Sequence, residues 1–164
     1  MTIIVKNKET LFFDDFKFKC CVGKNGIHKI KFEGDKKTPK GIYEIGNLYF
    51  RSDKCEKPLT KLKCIPITKQ MGWCNDINSK KNYNKLIKVN SLEKHEKLFR
   101  ADYKYDYLIP ISYNTKKRIP GKGSAIFIHL TKNYKKTDGC IALKKNDFLI
   151  LIKLLKPKNK IRII

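Results

Sequence analysis

Apolar residues along this chain gather in short runs separated by Gly, Pro, Asn and Asp: TLFF, FKFKCCV, HKIKF, GIYEIGNLYF, LKCIPI, YLIPISY, SAIFIHL, CIAL and the terminal KIRII. Runs of this length, bounded by turn-forming residues, read as strands and predict a mainly β protein of α+β class. Two segments carry a helical period instead. SLEKHEKLFR reads as an exposed helix capped by Ser91, with Leu92 and Glu96, and His95 and Phe99, one turn apart. From Asn146 to Lys156, Phe148, Leu151, Ile152 and Leu155 share one face that Leu149, Ile150 and Leu154 widen. That pattern predicts a deeply packed helix, which Pro157 ends.

The segment from Lys69 to Asn90 is the longest irregular stretch, with Asn75, Asp76, Asn78, Ser79, Asn82 and Asn84 supplying turn chemistry. Loops of that length are more often functional than idle. It contains Trp73, the only tryptophan, which suits two roles: a packing anchor that pins the loop, or a wall of a substrate-binding groove. No internal repeat or low-complexity linker divides the chain, so the expectation is a single domain over residues 1–164. A domain of this size buries roughly 70% of the surface its unfolded chain exposes, enough for a core without staples.

Charge adds a question about partners. The net charge of +23 creates a field that attracts polyanions, among them nucleic acid, an anionic membrane face or acidic wall polymer. The positive residues are nearly all lysine, spread from end to end, with Arg51, Arg100, Arg118 and Arg162 the only arginines. Specific phosphate and base readout recruits arginine forks, so the expectation is a solvated cationic surface and no specific nucleic-acid partner. A non-catalytic basic binding module is the competing reading. No stretch reaches the roughly 18 apolar residues that cross a bilayer, and the start, MTIIVKNKETLFFDDF, lacks the apolar segment of a secretory signal. At face value the chain begins in the cytoplasm. Its six cysteines, at 20, 21, 55, 64, 74 and 140, form no C-x-x-C pair and have no histidine at zinc-finger spacing, so no metal site is expected. At least one of Cys20 and Cys21 should point into the core; disulfides among Cys55, Cys64 and Cys74 stay open for an exported protein.

The text richest in chemistry is SAIFIHLTKNYKKTDGCIAL: an apolar strand ending near His129, a polar loop, then a Gly-Cys pair feeding another strand. A cysteine attacks as its thiolate, and a nearby imidazole takes the proton. Gly139, lacking Cβ, lets the backbone bend and expose amide N–H groups to the oxyanion of a tetrahedral intermediate. Spacing alone also fits a buried structural cysteine and a strand-end histidine with a structural hydrogen bond.

TDGCIAL preceded by IFIHL resembles the L,D-transpeptidase (YkuD-like) catalytic domain, whose motif is a histidine, a short loop, then Ser/Thr-x-Gly-Cys. Thr137, Gly139 and Cys140 match it, and His129 matches the upstream histidine. GDKKTPKGIYEI is similar to the family's G-x-x-x-T-P-x-G-x-Y/F segment, with Thr38, Pro39 and Gly41 in place. MGWCNDINSKKNYNKLI, HEKLFRADYKYDYL and PGKGSAIFIHL resemble small stand-alone bacterial members, extending the resemblance over residues 18–164. It implies a curved mixed sheet or sandwich with one or two packed helices. It also implies acyl transfer on the peptide stems of peptidoglycan, with release of the terminal D-alanine and transfer to an amine. Cys140 would be the nucleophile, His129 the base and later acid, and the amides around Gly139 and Cys140 the oxyanion donors. No cofactor and no metal is implied, and a monomer is compatible. L,D-carboxypeptidase hydrolysis is a close variant, since water can replace the amine. The family's place is the cell envelope.

Three features depart from the family pattern: Asp138 stands where histidine is common, Ala142 where arginine is common, and no secretory signal is readable. Asp138 should tune the site, with its carboxylate turned to solvent or to a lysine such as Lys135 or Lys136. Ser124 is a candidate substrate-binding residue and a weak alternative nucleophile, since it lacks a G-x-S-x-G elbow. Gly121 and Gly123 predict a tight turn rather than a phosphate loop, because Lys122 is followed by glycine. His28 and His95 are expected at the surface with no role.

Overall fold

The computed structural model describes residues 1–89 and 92–164, and within them the chain is mostly β with a single helix. One five-stranded sheet is built from β1 (Thr2–Lys6), β2 (Thr10–Phe13), β3 (Phe16–Lys19), β6 (Gly41–Glu44) and β15 (Lys160–Ile163), in the order β3-β2-β1-β15-β6. A second contains β7 (Leu48–Phe50), β8 (Cys64–Pro66), β12 (Tyr107–Pro110), β13 (Phe127–Leu130) and β14 (Ile141–Leu143), in the order β14-β13-β12-β7-β8. β9 (Met71–Cys74) lies between β10 (Leu86–Lys88) and β11 (His95–Lys97) in a three-stranded sheet, and β4 (Ile27–His28) pairs with β5 (Thr38–Pro39). The helix α1 (Lys145–Leu154) connects the second sheet to β15 of the first.

Alternation along the strands explains why the second sheet reads as near-continuous apolar text. Successive side chains point to opposite faces, and here both faces are covered. Ile128 and Leu130 of β13, Tyr107 and Ile109 of β12, and Leu48 and Phe50 of β7 enter the main core with Ile3, Val5, Ile161 and the helix residues Phe148, Leu151 and Ile152. The intervening residues, Phe127, Leu108 and Tyr49, pack on the other face with Trp73, Leu98, Tyr105 and Cys140. His129 shares this second face with Phe127 by the same alternation. The sheet thus holds a structural core on one side and the candidate chemistry on the other.

The expected C-terminal helix is present. Its buried residues are Phe148, Leu151 and Ile152, and Asp147 in the first turn complements the exposed N–H groups there. It ends at Leu155, whose backbone is extended while its N–H reaches the Leu151 carbonyl at 3.1 Å. Pro157 disfavours helical geometry at Lys156, and the Asn159 side chain accepts the Lys156 N–H at 2.7 Å.

The helix expected over residues 91–100 is not formed; its proposed cap, Ser91, lies outside the described residues. His95–Lys97 is instead strand β11, pairing antiparallel with β9 so that Glu96 lies opposite Trp73. Strand geometry places Leu98, fully buried, in the cluster beside Trp73, and leaves Leu92 exposed. Burial of Leu98 and a ladder to β9 outweigh a weak helical preference. His95 is accordingly half-buried on a strand, not exposed on a helix, with its Nδ1 bonded to the Glu93 carbonyl at 2.8 Å. Of the stretch from Lys69 to Asn90, the described part, 69–89, is more regular than expected: β9 and β10 pair across it, and Tyr83 between them is fully buried.

Phe148 is fully buried and stacks on Tyr107 with ring centroids 6.1 Å apart. Phe148→Ala should lower the unfolding free energy by about 3–5 kcal/mol in urea titration. Ile150→Ala, at a helix position that is 43% exposed, should change it by under about 1 kcal/mol.

Candidate active site

β13 and β14 run parallel with His129 opposite Ala142, and Ile128 opposite Ile141. That register sets Cys140, one residue before β14, level with Phe127 and on the face that carries His129. The Phe127 N–H donates to Cys140 Sγ at 3.3 Å, and the thiol donates to the Ala125 carbonyl at 3.3 Å. The His129 ring is fixed through Nδ1, which sits 2.9 Å from the Leu130 carbonyl. A carbonyl only accepts, so Nδ1 carries the proton and Nε2 is left with its lone pair. Tyr105 packs edge-on against the imidazole at 5.4 Å. Cys140 and His129 both line a cavity of about 500 Å³, together with Ser124, Thr137, Asp138 and Lys31.

The turn before the cysteine is tied through Thr137, Gly139 and the Cys140 carbonyl. Thr137 Oγ1 accepts the Gly139 N–H at 3.1 Å and donates to the Cys140 carbonyl at 2.6 Å. Gly139 has φ +137°, and a Cβ there would meet the Lys37 carbonyl oxygen at 2.9 Å. Only glycine fits such backbone geometry without strain. The Gly139 carbonyl accepts the Thr38 hydroxyl at 2.8 Å, and Thr38 Oγ1 in turn accepts the Gly23 N–H at 2.8 Å. Thr38 is fully buried. The T-P segment noted in the sequence therefore holds the Cys140 loop from behind, a role that no local pattern announces because the partners lie far apart in the chain.

Electrostatics in the cavity favour neutral partners. Burial pushes the Cys140 thiol up to about 12, with Glu96 and Asp138 adding to the rise and the Phe127 N–H and Lys31 opposing it. Burial likewise brings His129 down to about 4; the Leu130 carbonyl opposes this, while Lys104 and Arg100 reinforce it. Glu96 was not singled out by sequence. Its carboxylate accepts the Tyr105 hydroxyl at 3.0 Å and the Arg100 guanidinium at 3.3 Å, which makes it a charged rim above the pair.

The other expected residues are spread over different environments. Asp138 is exposed and pairs with a lysine, Lys24, at 3.0 Å. Ser124 lines the cavity with its hydroxyl committed to Glu33 at 2.7 Å. Trp73 sits in the packed layer beside Cys140, outside the cavity wall, edge-on to Phe127 at 5.3 Å. Its Nε1–H donates to Asn84 Oδ1 at 2.9 Å, and the same oxygen accepts the Ala125 N–H at 3.1 Å. Gly121 and Gly123 have φ +82° and +99°, forming the expected turn before β13. Cys20 and Cys21 are both buried, and all six cysteines are free thiols. His28 is exposed. Among the described residues, no group of three or more His, Cys, Asp or Glu side chains is placed to hold a metal ion.

Comparison with solved structures finds the same fold in two larger proteins. Bd1075 from Bdellovibrio bacteriovorus matches with a TM-score of 0.52 at 16% identity, over 99% of this chain and 47% of that one. The helical cell shape determining protein Pgp2 from Campylobacter jejuni matches with a TM-score of 0.52 at 20% identity, again over 99% of this chain and 47% of the other. This chain thus spans about half the length of either. Comparison with curated proteins finds no match. The model of the L,D-transpeptidase catalytic domain, YkuD, matches residues 1–163, and by that nearly end-to-end match the chain belongs to this family.

Proposed function

We propose that this chain is a peptidoglycan L,D-transpeptidase of the cell envelope, with Cys140 as nucleophile and His129 as base. The observation that carries the reading is the pairing of a thiol with an imidazole of fixed tautomer on one face of β13 and β14, both open to one cavity. The family acts on peptidoglycan, and its Pgp2 relative is a cell-shape protein, so stem peptides are the substrate class and wall shape the cellular output.

Since burial holds Cys140 protonated and His129 neutral, the resting pair is thiol and imidazole rather than an ion pair. The thiol proton then passes to His129 Nε2 as sulfur attacks the amide carbon. Collapse of the tetrahedral intermediate breaks the C–N bond, and His129 returns the proton to the departing amine of D-alanine. The thioester left on Cys140 is attacked by an amine, with His129 again taking the proton. Water in place of the amine gives the carboxypeptidase reaction, and the two outcomes differ in product mass. The Gly139 N–H is already committed to Thr137, so the Cys140 amide is the backbone donor for the oxyanion.

Cys140→Ala should abolish conversion of tetrapeptide muropeptides and Cys140→Ser should nearly do so, read by mass spectrometry of the products. Wild-type turnover in Cys140→Ala would refute the assignment. His129→Ala should lose activity comparably, while Asp138→Asn, which removes only an exposed ion pair, should retain most of it.

The lowered His129 pKa has a stability consequence of definite sign. An unfolded histidine takes up a proton near 6.5, whereas the buried ring takes it up only near 4, so the unfolded state binds more protons between those values. Stability from this group is complete above about pH 7 and is lost as pH falls towards 4, by on the order of 3 kcal/mol. Between pH 7 and pH 4 the urea midpoint of wild type should fall relative to that of His129→Gln, which has no imidazole to protonate.

A further inference from the structure

One buried charge beside the nucleophile has no part in the scheme above. Lys31, in the loop between β4 and β5, is only 4% exposed in a chain whose other lysines are overwhelmingly at the surface. Its side chain threads between two glycines. A Cβ at Gly123 would lie 2.9 Å from Lys31 Cε, and one at Gly139 would lie 3.6 Å from Lys31 Nζ. The ammonium is aimed by Asp35, whose Oδ1 accepts it at 2.7 Å and is itself held by the Lys37 N–H at 2.9 Å, while Oδ2 takes the Phe32 N–H at 2.8 Å. The Phe32 carbonyl is a second, long acceptor at 3.5 Å. An ammonium has three N–H donors, so a third remains for the cavity that Lys31 lines with His129 and Cys140.

Taking an ion pair out of water carries a desolvation cost that an apolar side chain of the same length would avoid, so packing alone does not explain a lysine here. Meanwhile the oxyanion site lacks a donor, because Thr137 has taken the Gly139 N–H. We propose that Lys31 is the cation of the oxyanion site, its ammonium stabilising the charge that gathers on the substrate carbonyl oxygen beside the Cys140 amide. This rests on Cys140 being the acyl acceptor. In the step, sulfur bonds to the carbonyl carbon, the carbonyl π pair moves to oxygen opposite Lys31, and its return expels the leaving group. Lys31 keeps its proton throughout. The charged groups acting on the thiol are Lys31, which favours the thiolate, and Glu96 and Asp138, which oppose it.

The test compares two reactions of the same sulfur. p-Nitrophenyl acetate acylates through an oxyanion and carries no carboxylate that Lys31 could merely bind; iodoacetamide alkylates by direct displacement and forms none. Rates at Cys140 are taken as the difference from Cys140→Ala. Lys31→Met leaves Asp35 unpaired, so Lys31→Met/Asp35→Asn serves as the charge-balanced variant, with urea midpoints confirming that it is folded. In that double variant acylation should fall about 10²-fold, the usual loss for one oxyanion donor. Alkylation should fall far less, and Lys31→Arg should recover part of the acylation. Equal losses in both reactions, or acylation at the wild-type rate, would overturn the role of Lys31 while leaving Cys140 as nucleophile. Wild type that releases no more p-nitrophenolate than Cys140→Ala would overturn the reading of Cys140 and this proposal with it.

Discussion

Parallel pairing between β13 and β14 creates a problem that much of the remaining structure solves. Parallel neighbours need a crossover, normally a helix packed on the sheet. Here residues 131–140 make the return without one, and within the loop Thr137 alone ties the Gly139 N–H and the Cys140 carbonyl. Its anchorage comes from outside: Cys21 pairs with Ala142, Gly23 with Thr137, and Thr38 bridges Gly23 to the Gly139 carbonyl. The N-terminal third of the chain is thereby tied to the Cys140 turn, and β4 with β5 serve as the bracket that carries Thr38 there.

The same closeness governs reactivity. A cysteine and a histidine both removed from water resist charge, and the site rests as two neutral groups bound to backbone atoms: Phe127, Ala125 and Leu130. Charge separation at such a pair is favourable only when the new charges are met by donors. Cys20 is likewise raised to about 12, by burial and by Cys21 and Glu9, but Cys140 differs in having an imidazole on its own face of the sheet.

The strands and α1 were legible because alternation and the helical period are local properties. The family was legible because the motif carrying Gly139 and Cys140 is contiguous and His129 closely precedes it. β11 was not, since the burial that makes His95–Lys97 a strand comes from β9 and Trp73, a partner that periodicity does not encode. Which lysine pairs with Asp138 was hidden for the same reason: Lys24 is remote in sequence and is brought close where Gly23 bridges to Thr137. Thr38 belonged to a recognised segment, yet its task required knowing what lies behind Gly139. In each case the missing information was a long-range contact rather than a residue type.

Asn84 joins two features of the molecule that otherwise look unrelated. Its side-chain oxygen takes the Trp73 indole N–H and the Ala125 amide, and its nitrogen donates to the Tyr113 and Asn114 carbonyls at 2.9 Å each. Ala125 is the residue whose carbonyl accepts the Cys140 thiol, and Trp73 also touches Phe127, whose N–H points at the same sulfur. The only indole of the chain is therefore linked to the Cys140 sulfur by two short paths, through Asn84 and through Phe127. A change at that sulfur has a route to the packing around Trp73, which makes tryptophan fluorescence the natural label-free readout to try there.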